Sequence, residues 1–332
     1  GISAGLVKTG WTHRRFRCRG RAGRGSGRKE VRRAGGAAGG TAEGPRDDGS
    51  FLASTPDLGS SPLPTAVISD VHANAAALRA VLADIDSRGV KRIICLGDTV
   101  GYGPDPLECV DLVRARCDWA LMGNHDYGVL YEPTNFNPGA ESAAFWTRAQ
   151  FDQEPDGAKR AERYDFLNRL RVRVVERIGA DGAEPLKPGV NDSAIPLLAV
   201  HGSPRRPINE YIFPDDAVNS TDKMESIFDR VSRICMVGHT HVPGVFSDEP
   251  DFYPPGELGE VGYKFQEGEK AVINVGSVGQ PRDFDPRASY VLVHSDRVQF
   301  VRVEYDVAAT ASKIKAIEAL PDWLADRLYE GR

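Results

Sequence analysis

Five short apolar runs in this 332-residue chain each end directly at a side chain that can bind a metal ion. The five side chains are Asp70, Asp98, Asn124, His201 and His239. Short apolar runs between helical stretches are typical of buried strands, and the loops at the carboxyl ends of strands in an open sheet line one crevice. We therefore expect an α/β fold in which five separate segments deliver polar groups to one place.

The spacing of apolar residues predicts most of the elements around these loops. Leu78, Val81, Leu82 and Ile85 fall at i, i+3, i+4 and i+7, which predicts a helix over residues 74–87. Asp105 followed by Pro106 predicts a helix start, as does Asn137-Pro138. Strands are predicted at 65–69, 92–96, 119–122, 195–200, 233–237, 271–275, 290–294 and 298–303, with short helices at the end. Residues 202–232 and 248–268 are expected to be irregular rim or lid segments.

The first 60 residues differ in composition from the rest of the chain. They contain 14 of the 35 glycines and have a net charge of +7, whereas the whole chain has −5. We expect residues 1–60 to be a disordered basic Gly/Arg-rich tail, because ordering them would bury little apolar surface. The tail could bind nucleic acid or target an organelle, or it could be the product of a gene-model boundary. The predicted division continues with one α/β domain over 61–305 and a helical extension over 306–332.

The cysteines and the apolar runs bear on where the protein acts. The five cysteines are odd in number and scattered, which favours reduced thiols and a cytoplasmic location over a disulfide framework. No apolar run approaches the ~18 residues needed to cross a bilayer, so no membrane partner is expected. The oligomeric state is left open.

Seven candidate ligands are too many for one metal ion. His72 lies two residues after Asp70, and His241 lies two residues after His239, so each pair could point around one turn. A single zinc usually takes three or four protein ligands, which indicates two ions. Carboxylate, amide and imidazole groups without cysteine suit divalent Mn, Fe, Co, Ni or Zn, of which we favour Mn. Asp98 is the predicted bridge between the ions, because Gly97 lets the backbone approach both.

These motifs, taken in order, resemble those of the calcineurin-like metallophosphoesterase superfamily over about residues 65–303. The matching motifs are Asp70-x-His72, Gly97-Asp98, Gly123-Asn124-His125-Asp126, His201 and Gly238-His239-x-His241, and Asn274-Val275-Gly276-Ser277 resembles a segment of the small prokaryotic phosphodiesterase branch. The resemblance implies a four-layer αββα sandwich of two mixed β-sheets. It also implies that Asp70, His72, Asp98 and His241 bind one metal ion and Asp98, Asn124, His201 and His239 the other.

The resemblance assigns His125 to catalysis and not to metal binding. The matching histidine of the family faces the substrate, where it protonates the leaving oxygen or stabilises the transition state, and an imidazole pKa near 6.5 suits that role. The implied nucleophile is a metal-bridging hydroxide. Arg282 could contact a phosphate oxygen or pair with Asp283 or Asp285 instead, and Asn74 could contact substrate or only cap the following helix.

Departures from the family pattern disfavour a protein phosphatase. Asp98 is followed by Thr99-Val100-Gly101-Tyr102-Gly103 where those enzymes carry a second aspartate and Arg-Gly, and Asp126 stands where they have Glu. We expect a hydrolase that acts on a small phosphate ester or nucleotide, most simply a phosphodiesterase. The alternatives are a phosphomonoesterase, a dinucleoside polyphosphate hydrolase, a non-catalytic scaffold with the same fold, or nucleic-acid binding through the tail.

Overall fold

The computed structural model describes residues 63–180, 182–185, 194–249 and 251–332. The predicted basic tail, residues 1–60, lies outside these ranges. The described strands are β1 (Thr65–Ile68), β2 (Arg92–Cys95), β3 (Trp119–Ala120), β4 (Arg173–Gly179), β5 (Gly182–Pro185), β6 (Ile195–Val200), β7 (Ile234–Val237), β8 (Gly244–Ser247), β9 (Asp251–Tyr253), β10 (Tyr263–Lys264), β11 (Ala271–Asn274), β12 (Ala288–Val293) and β13 (Arg297–Val303). The described helices are α1 (Ala75–Ser87), α2 (Pro106–Arg116), α3 (Asn124–Leu130), α4 (Pro138–Asp152), α5 (Gly157–Asn168), α6 (Asp216–Asn219), α7 (Thr221–Phe228), α8 (Pro255–Leu258), α9 (Val307–Lys315) and α10 (Trp323–Glu330).

The strands form two mixed sheets. The first sheet has the order β10-β13-β12-β1-β2-β3, and the second has the order β5-β4-β6-β7-β11-β8-β9. In the first sheet β1, β2 and β3 are parallel to one another, and in the second β6, β7 and β11 are parallel. The predicted metal-binding side chains follow the carboxyl ends of these parallel strands, with the exception of β11.

Side chains alternate between the two faces of each strand, and this alternation produces four layers. In β1, Val67 packs into the core between the two sheets, whereas Ala66 and Ile68 pack into the core beneath the helices. Successive strand side chains point to opposite faces, so both faces of β1 are buried and the run is continuously apolar. Helix α1 contributes Leu78 to the helix side of the first sheet, and α7 contributes Ile227 to the outer face of the second. The predicted αββα sandwich of two mixed sheets is confirmed.

Most predicted elements are present, although Asp105 does not cap its helix as expected. Asn74 accepts a hydrogen bond from the Ala77 N–H at the start of α1, as an N-cap residue does. Asp105 precedes α2 without a side-chain cap and binds the Lys313 ammonium group instead, at 2.8 Å. The Asp105 carboxylate therefore binds Lys313, from the C-terminal part of the chain, and not the N–H groups at the start of α2.

The prediction of two irregular segments is wrong. Residues 202–232 contain α6 and α7, and residues 248–268 contain β9, α8 and β10. These elements are two to eight residues long, too short for a periodic pattern to identify. The sequence analysis also missed α3, α5, β4, β5 and β8. β4 lies between two other strands and buries Val174 and Ile178, but it carries charged residues at intervening positions.

The last two helices pack against the loops of the site. Leu324 and Leu328 of α10 and Ile314 of α9 share a buried cluster with Tyr102, and the Trp323 side chain lies against Gly139 of α4. A Cβ at Gly139 would lie 2.5 Å from the Trp323 Cζ2 atom, so the glycine makes room for the indole ring. None of the helices in the described ranges could span a bilayer.

Candidate metal centre and substrate clefts

The loops that follow the parallel strands of both sheets meet at one edge of the sandwich. The loop after β1 is tied to the loop after β2, because the Asp70 and His72 N–H groups donate to the Gly97 and Asp98 carbonyls at 3.0 and 2.9 Å. The His239 N–H, after β7 of the second sheet, donates to Asp70 Oδ2 at 3.0 Å. Side chains from both sheets therefore reach a common buried cluster.

Six of the seven predicted ligands offer atoms that lie close together. Asp70, His72 and His241 form one group and Asp98, His201 and His239 form another, and within each group the ligand atoms lie within 4.8 Å of one another. The family resemblance implies the same two groups, but it also assigns Asp98 to the first group and Asn124 to the second. All six residues are buried.

Asp98 lies between the two groups. Its Oδ2 atom is 3.6 Å from His72 Nε2 and 3.3 Å from His201 Nε2. Its Oδ1 atom accepts a hydrogen bond from the His125 N–H at 2.8 Å, which fixes the carboxylate against the first turn of α3. This is the position that a carboxylate shared by two ions requires.

Main-chain carbonyls fix the orientation of three of the imidazoles. The Nδ1 atoms of His72, His201 and His241 lie 3.2, 3.0 and 2.6 Å from the carbonyl oxygens of Val100, Leu96 and Gln280. A carbonyl only accepts, so each Nδ1 carries a proton and each Nε2 faces the cluster. The sequence analysis did not identify these carbonyls.

The lone pairs of the cluster face one another at short range. His72 Nε2 lies 3.0 Å from His241 Nε2, which in turn lies 3.2 Å from Asp70 Oδ1. Two acceptor nitrogens and a carboxylate oxygen repel at these distances unless a cation or a proton lies among them. Nearby, Asn124 Oδ1 and His239 Nε2 are buried with no hydrogen-bond partner among the described residues. The donor set therefore fits metal ions.

Five of the predicted ligands hold a left-handed backbone conformation. Asp70, His72, Asp98, His239 and His241 have φ angles from 47° to 66°. Non-glycine residues seldom adopt this region, and such strain concentrates at functional sites, where the surrounding fold supports it.

Two glycines allow the strained turns to pack. Gly97 has φ 109°, and a Cβ there would lie 2.7 Å from the Gly123 main-chain nitrogen. A Cβ at Gly238 would collide with Ser69 Oγ and Asp70 Oδ2. Steric crowding therefore explains why a glycine precedes Asp98 and His239 in the motifs.

The cluster favours positive charge. Burial opposes ionisation of Asp98, but the imidazoles of His201 and His125 outweigh burial and hold the pKa of Asp98 well below its usual range. Burial would lower the pKa of His201, yet the facing Asp98 carboxylate raises it to about 9. Burial lowers the pKa of His239 to about 3, so that imidazole is neutral. A cation placed beside Asp98 would replace the proton that His201 otherwise holds there.

His125 lies beside the cluster in an aromatic setting. A ring nitrogen of His125 lies within 4.8 Å of ligand atoms of both His72 and Asp98. Its ring centroid is 4.3 Å from that of Tyr102 and 4.6 Å from that of Phe136. Burial lowers its pKa to about 4. Its Nδ1 atom has no hydrogen-bond partner among the described residues.

The two predicted substrate residues have different surroundings. Asn74 is 1% exposed, and its side chain accepts from Ala77 and donates to the Gly279 carbonyl, which favours the capping alternative. Arg282 is half-buried, and its guanidinium donates to Gln280 Oε1 at 2.7 Å. The alternative pairing of Arg282 is not found, because Asp283 binds Arg302 and Asp285 binds Arg287.

Sequence reasoning missed the residues that hold the loops in place. Asp126 accepts from the Thr99, Val100 and Gly123 N–H groups at 3.0, 3.3 and 3.0 Å, and burial with the charge of Asp98 raises its pKa to about 7. Asn274 donates to the Gly238 carbonyl at 2.7 Å, and the Ser277 hydroxyl donates to the Asp70 carbonyl at 2.8 Å. The only sequence signal for these residues was their place in the motifs.

Two clefts open beside the cluster. The main cleft, about 740 Å³, is lined by Asn124, His125 and His239 and extends past Arg206 and Tyr211. The second cleft, about 520 Å³, is lined by Arg282 and by α10. The clefts share three lining residues, Tyr102, Asn137 and Tyr211.

Comparison with known proteins identifies the class. The model of the calcineurin-like phosphoesterase superfamily domain matches residues 63–297. An uncharacterized protein of Methanocaldococcus jannaschii is 38% identical over 272 residues, covering 80% of this chain and 98% of the relative. The crystal structure of a metallophosphoesterase from Sphaerobacter thermophilus has 37% identity and a TM-score of 0.62, covering 81% of this chain and 99% of the other. A hypothetical protein of Pyrococcus horikoshii has the same fold at 20% identity, with a TM-score of 0.58 and the same coverage.

The fold and the cluster define a metallophosphoesterase. The chain belongs to the calcineurin-like phosphoesterase superfamily, as its motifs predict, and it is a hydrolase that acts on phosphoric ester bonds. Its buried aspartate and histidine groups could hold metal.

Proposed function

We propose that the chain is a dinuclear-metal-dependent phosphodiesterase. The observation that carries this proposal is the pair of clefts that meet at Tyr102 and Tyr211 beside the cluster. The phosphorus of a diester bears two ester arms, and each cleft offers room for one of them. A monoester has a single arm and would leave one cleft without a role.

The two groups of side chains would each hold one divalent ion. Asp70, His72, Asp98 and His241 form the first proposed set and Asp98, Asn124, His201 and His239 the second, with Asp98 shared. Mn²⁺ is the favoured ion, because the set mixes oxygen and imidazole donors and contains no thiolate. When bound, the ions would supply Lewis acidity, which lowers the pKa of water and stabilises charge on the phosphoryl oxygens.

His125 is the proposed proton donor. Its ring is held by Tyr102 and Phe136, and it lines the main cleft next to Asn124. The charge of a bound anionic ester favours the protonated imidazole, and His125 in that form could pass its proton to the departing ester oxygen. The surrounding aromatic rings exclude water from the ring faces of His125 and restrict its orientation.

An aromatic ladder in the main cleft supports a nucleotide substrate. The Tyr211 ring stacks on the His239 ring at 3.8 Å between centroids, and Phe213 is nearly parallel to Tyr211 at 5.3 Å. Phe213 is 49% exposed, so one end of the ladder faces solvent. Any of the nucleobases can stack on such a surface, because each of them has an aromatic face. Arg206 lines the same cleft and could contact a phosphate.

The test compares the diester bis-p-nitrophenyl phosphate with the monoester p-nitrophenyl phosphate. Chelated protein is reloaded with Mn²⁺, and kcat/KM is measured for both. We expect a clear preference for the diester and no activity before reloading. A large monoester preference contradicts the phosphodiesterase assignment, and selective cleavage of a dinucleoside polyphosphate would favour that alternative. Protein that binds no metal and cleaves none of these compounds would be a scaffold.

A further inference from the structure

The second cleft contains two arginines that the metal centre does not use. Arg282 lies in the loop after the motif segment 274–277, and Arg327 lies on α10. We propose that Arg282 and Arg327 bind a second phosphoryl group of the substrate, carried on the ester arm that enters the second cleft. This inference rests on the proposed function and narrows its substrate class to phosphodiesters that bear a further phosphate.

Neither arginine is neutralised by a side-chain carboxylate. Among the described residues, no aspartate or glutamate side chain lies within ion-pair distance of either guanidinium. The two acidic residues of the cleft are already paired, because Asp326 binds Lys315 at 2.6 Å and Glu330 binds Arg332 at 2.8 Å. Within the described residues, the second cleft therefore holds two guanidinium groups that have no acidic side chain as an ion-pair partner.

The hydrogen-bond partners of the arginines leave donors free for an anion. Arg282 donates to Gln280 Oε1, while its Nε atom is buried with no partner among the described residues. Arg327 Nε donates to the Arg332 main-chain oxygen. A guanidinium group has five N–H donors, so most of them remain available in both residues.

The two guanidinium groups act on each other. Burial and the charge of Arg282 lower the pKa of Arg327 to about 10. Two cations close enough to interact are stabilised by an anion that both can contact. A terminal phosphate carries a charge of about −1.5 to −2 near neutral pH and offers three acceptor oxygens, so it matches two guanidinium groups better than a carboxylate does.

Arg282 contacts an aromatic ring that also borders the metal centre. The Tyr102 ring centroid is 4.8 Å from that of His72 and 4.3 Å from that of His125. Arg282 Cζ lies 5.7 Å from the centroid of the same Tyr102 ring. A phosphate held by Arg282 and Arg327 would belong to a neighbouring group of the substrate and not to the reacting phosphorus.

Helix α10 fixes Arg327 in place before any ligand binds. Leu324 and Leu328 are at most 3% exposed and anchor the helix, and the Arg327 guanidinium lies 5.4 Å from the Trp323 ring centroid. A preorganised side chain loses less entropy on binding, which favours affinity. Arg327 lies beyond residues 63–297, the part of the chain that the superfamily model matches.

The experiment uses two substrates that differ by one phosphate. The p-nitrophenyl ester of thymidine 5′-phosphate is compared with the same ester carrying a 3′-phosphate, on Mn²⁺-loaded protein. We expect the wild type to prefer the 3′-phosphorylated ester. Arg327→Gln should lower kcat/KM for that ester by about 10- to 100-fold and for the plain ester by less than about twofold, since hydrogen bonds between charged groups contribute ~1.5–3 kcal/mol.

The controls separate lost charge from lost structure. Arg297→Gln removes an arginine of the β12–β13 hairpin that pairs with Asp296, and both rates should stay unchanged. Arg327→Lys keeps the positive charge and should recover part of the preference for the 3′-phosphorylated ester. Thermal melting of each variant checks that α10 remains packed.

The outcomes distinguish this inference from the proposed function. If Arg327→Gln affects both esters equally or neither, the subsite is wrong while the phosphodiesterase assignment stands. If Arg327→Gln only relieves inhibition by inorganic phosphate, the site takes a free anion and the substrate assignment is overturned. If the wild type cleaves neither ester, the proposed function fails. Calorimetric binding of thymidine 3′,5′-bisphosphate to chelator-treated protein then decides whether the phosphate subsite exists. There a tenfold weaker affinity of Arg327→Gln supports the subsite, and equal affinity overturns it.

Discussion

The metal cluster and the second cleft both border Tyr102 but are built in different ways. The cluster is assembled from loops of both sheets, is buried, and depends on strained backbone at five residues. The second cleft is lined by Arg282 and by one helix packed on the sandwich, and its charged groups are half-buried or exposed. The comparison suggests that the cluster determines whether any ester is cleaved, whereas the cleft determines which esters are.

The largest effect is expected from Asp98, which lies between the two ligand groups. Asp98→Asn should lower kcat on every substrate by about 10⁴-fold, because metal ions contribute several kcal/mol of transition-state stabilisation at such sites. Elemental analysis of the purified variant should show reduced metal content. Asp118→Asn, an exposed carboxylate paired with Arg92, is the matched control. If Asp98→Asn keeps its full metal content and activity, the claim that the cluster determines whether an ester is cleaved is wrong.

His125 should matter for turnover but not for metal binding. His125→Ala should lower kcat by about 10²- to 10³-fold with metal content unchanged, since general acid catalysis contributes on that scale. The matched control is His294→Ala, a half-buried histidine that follows β12. Loss of metal together with activity would instead make His125 a ligand of the group it shares with His72 and Asp98.

The aromatic ladder of the main cleft should affect substrate binding only. Tyr211→Ala should raise KM for a nucleotide ester by about 5- to 100-fold and leave bis-p-nitrophenyl phosphate much less affected, because base stacking contributes ~1–3 kcal/mol. Tyr329→Ala, another exposed tyrosine, serves as the control. An equal rise in KM for both substrates would show that Tyr211 supports His239 and does not bind a base.

The smallest effect is expected from the ion pair between Lys313 and Asp105. Lys313→Met should destabilise the fold by less than about 1 kcal/mol, because Lys313 is 50% exposed and such pairs contribute little. Activity on both thymidine esters should be unchanged. A large loss of stability by denaturant unfolding would show that charge, and not the apolar packing of α9 and α10, holds the wall of the second cleft.

Much of the sandwich could be predicted because its strands are buried on both faces. Each run such as Val67-Ile68 is continuously apolar, and the turn signals around it are strong. β4, β5 and the elements within 202–232 and 248–268 were missed, because they are short or carry charged residues at intervening positions.

The amino-acid sequence alone determined the order of the motifs, the seven candidate ligands and the expected fold, since these depend on local residue types and spacing. Only the tertiary structure decided that Asp98 lies between the two ligand groups and that main-chain carbonyls orient the imidazoles. It also decided that Asn74 is committed to capping and that Arg327 lies near Arg282. The contacts of the site join residues that lie far apart in the chain, such as Asp70 and His239, and packing across two sheets is what brings such residues together.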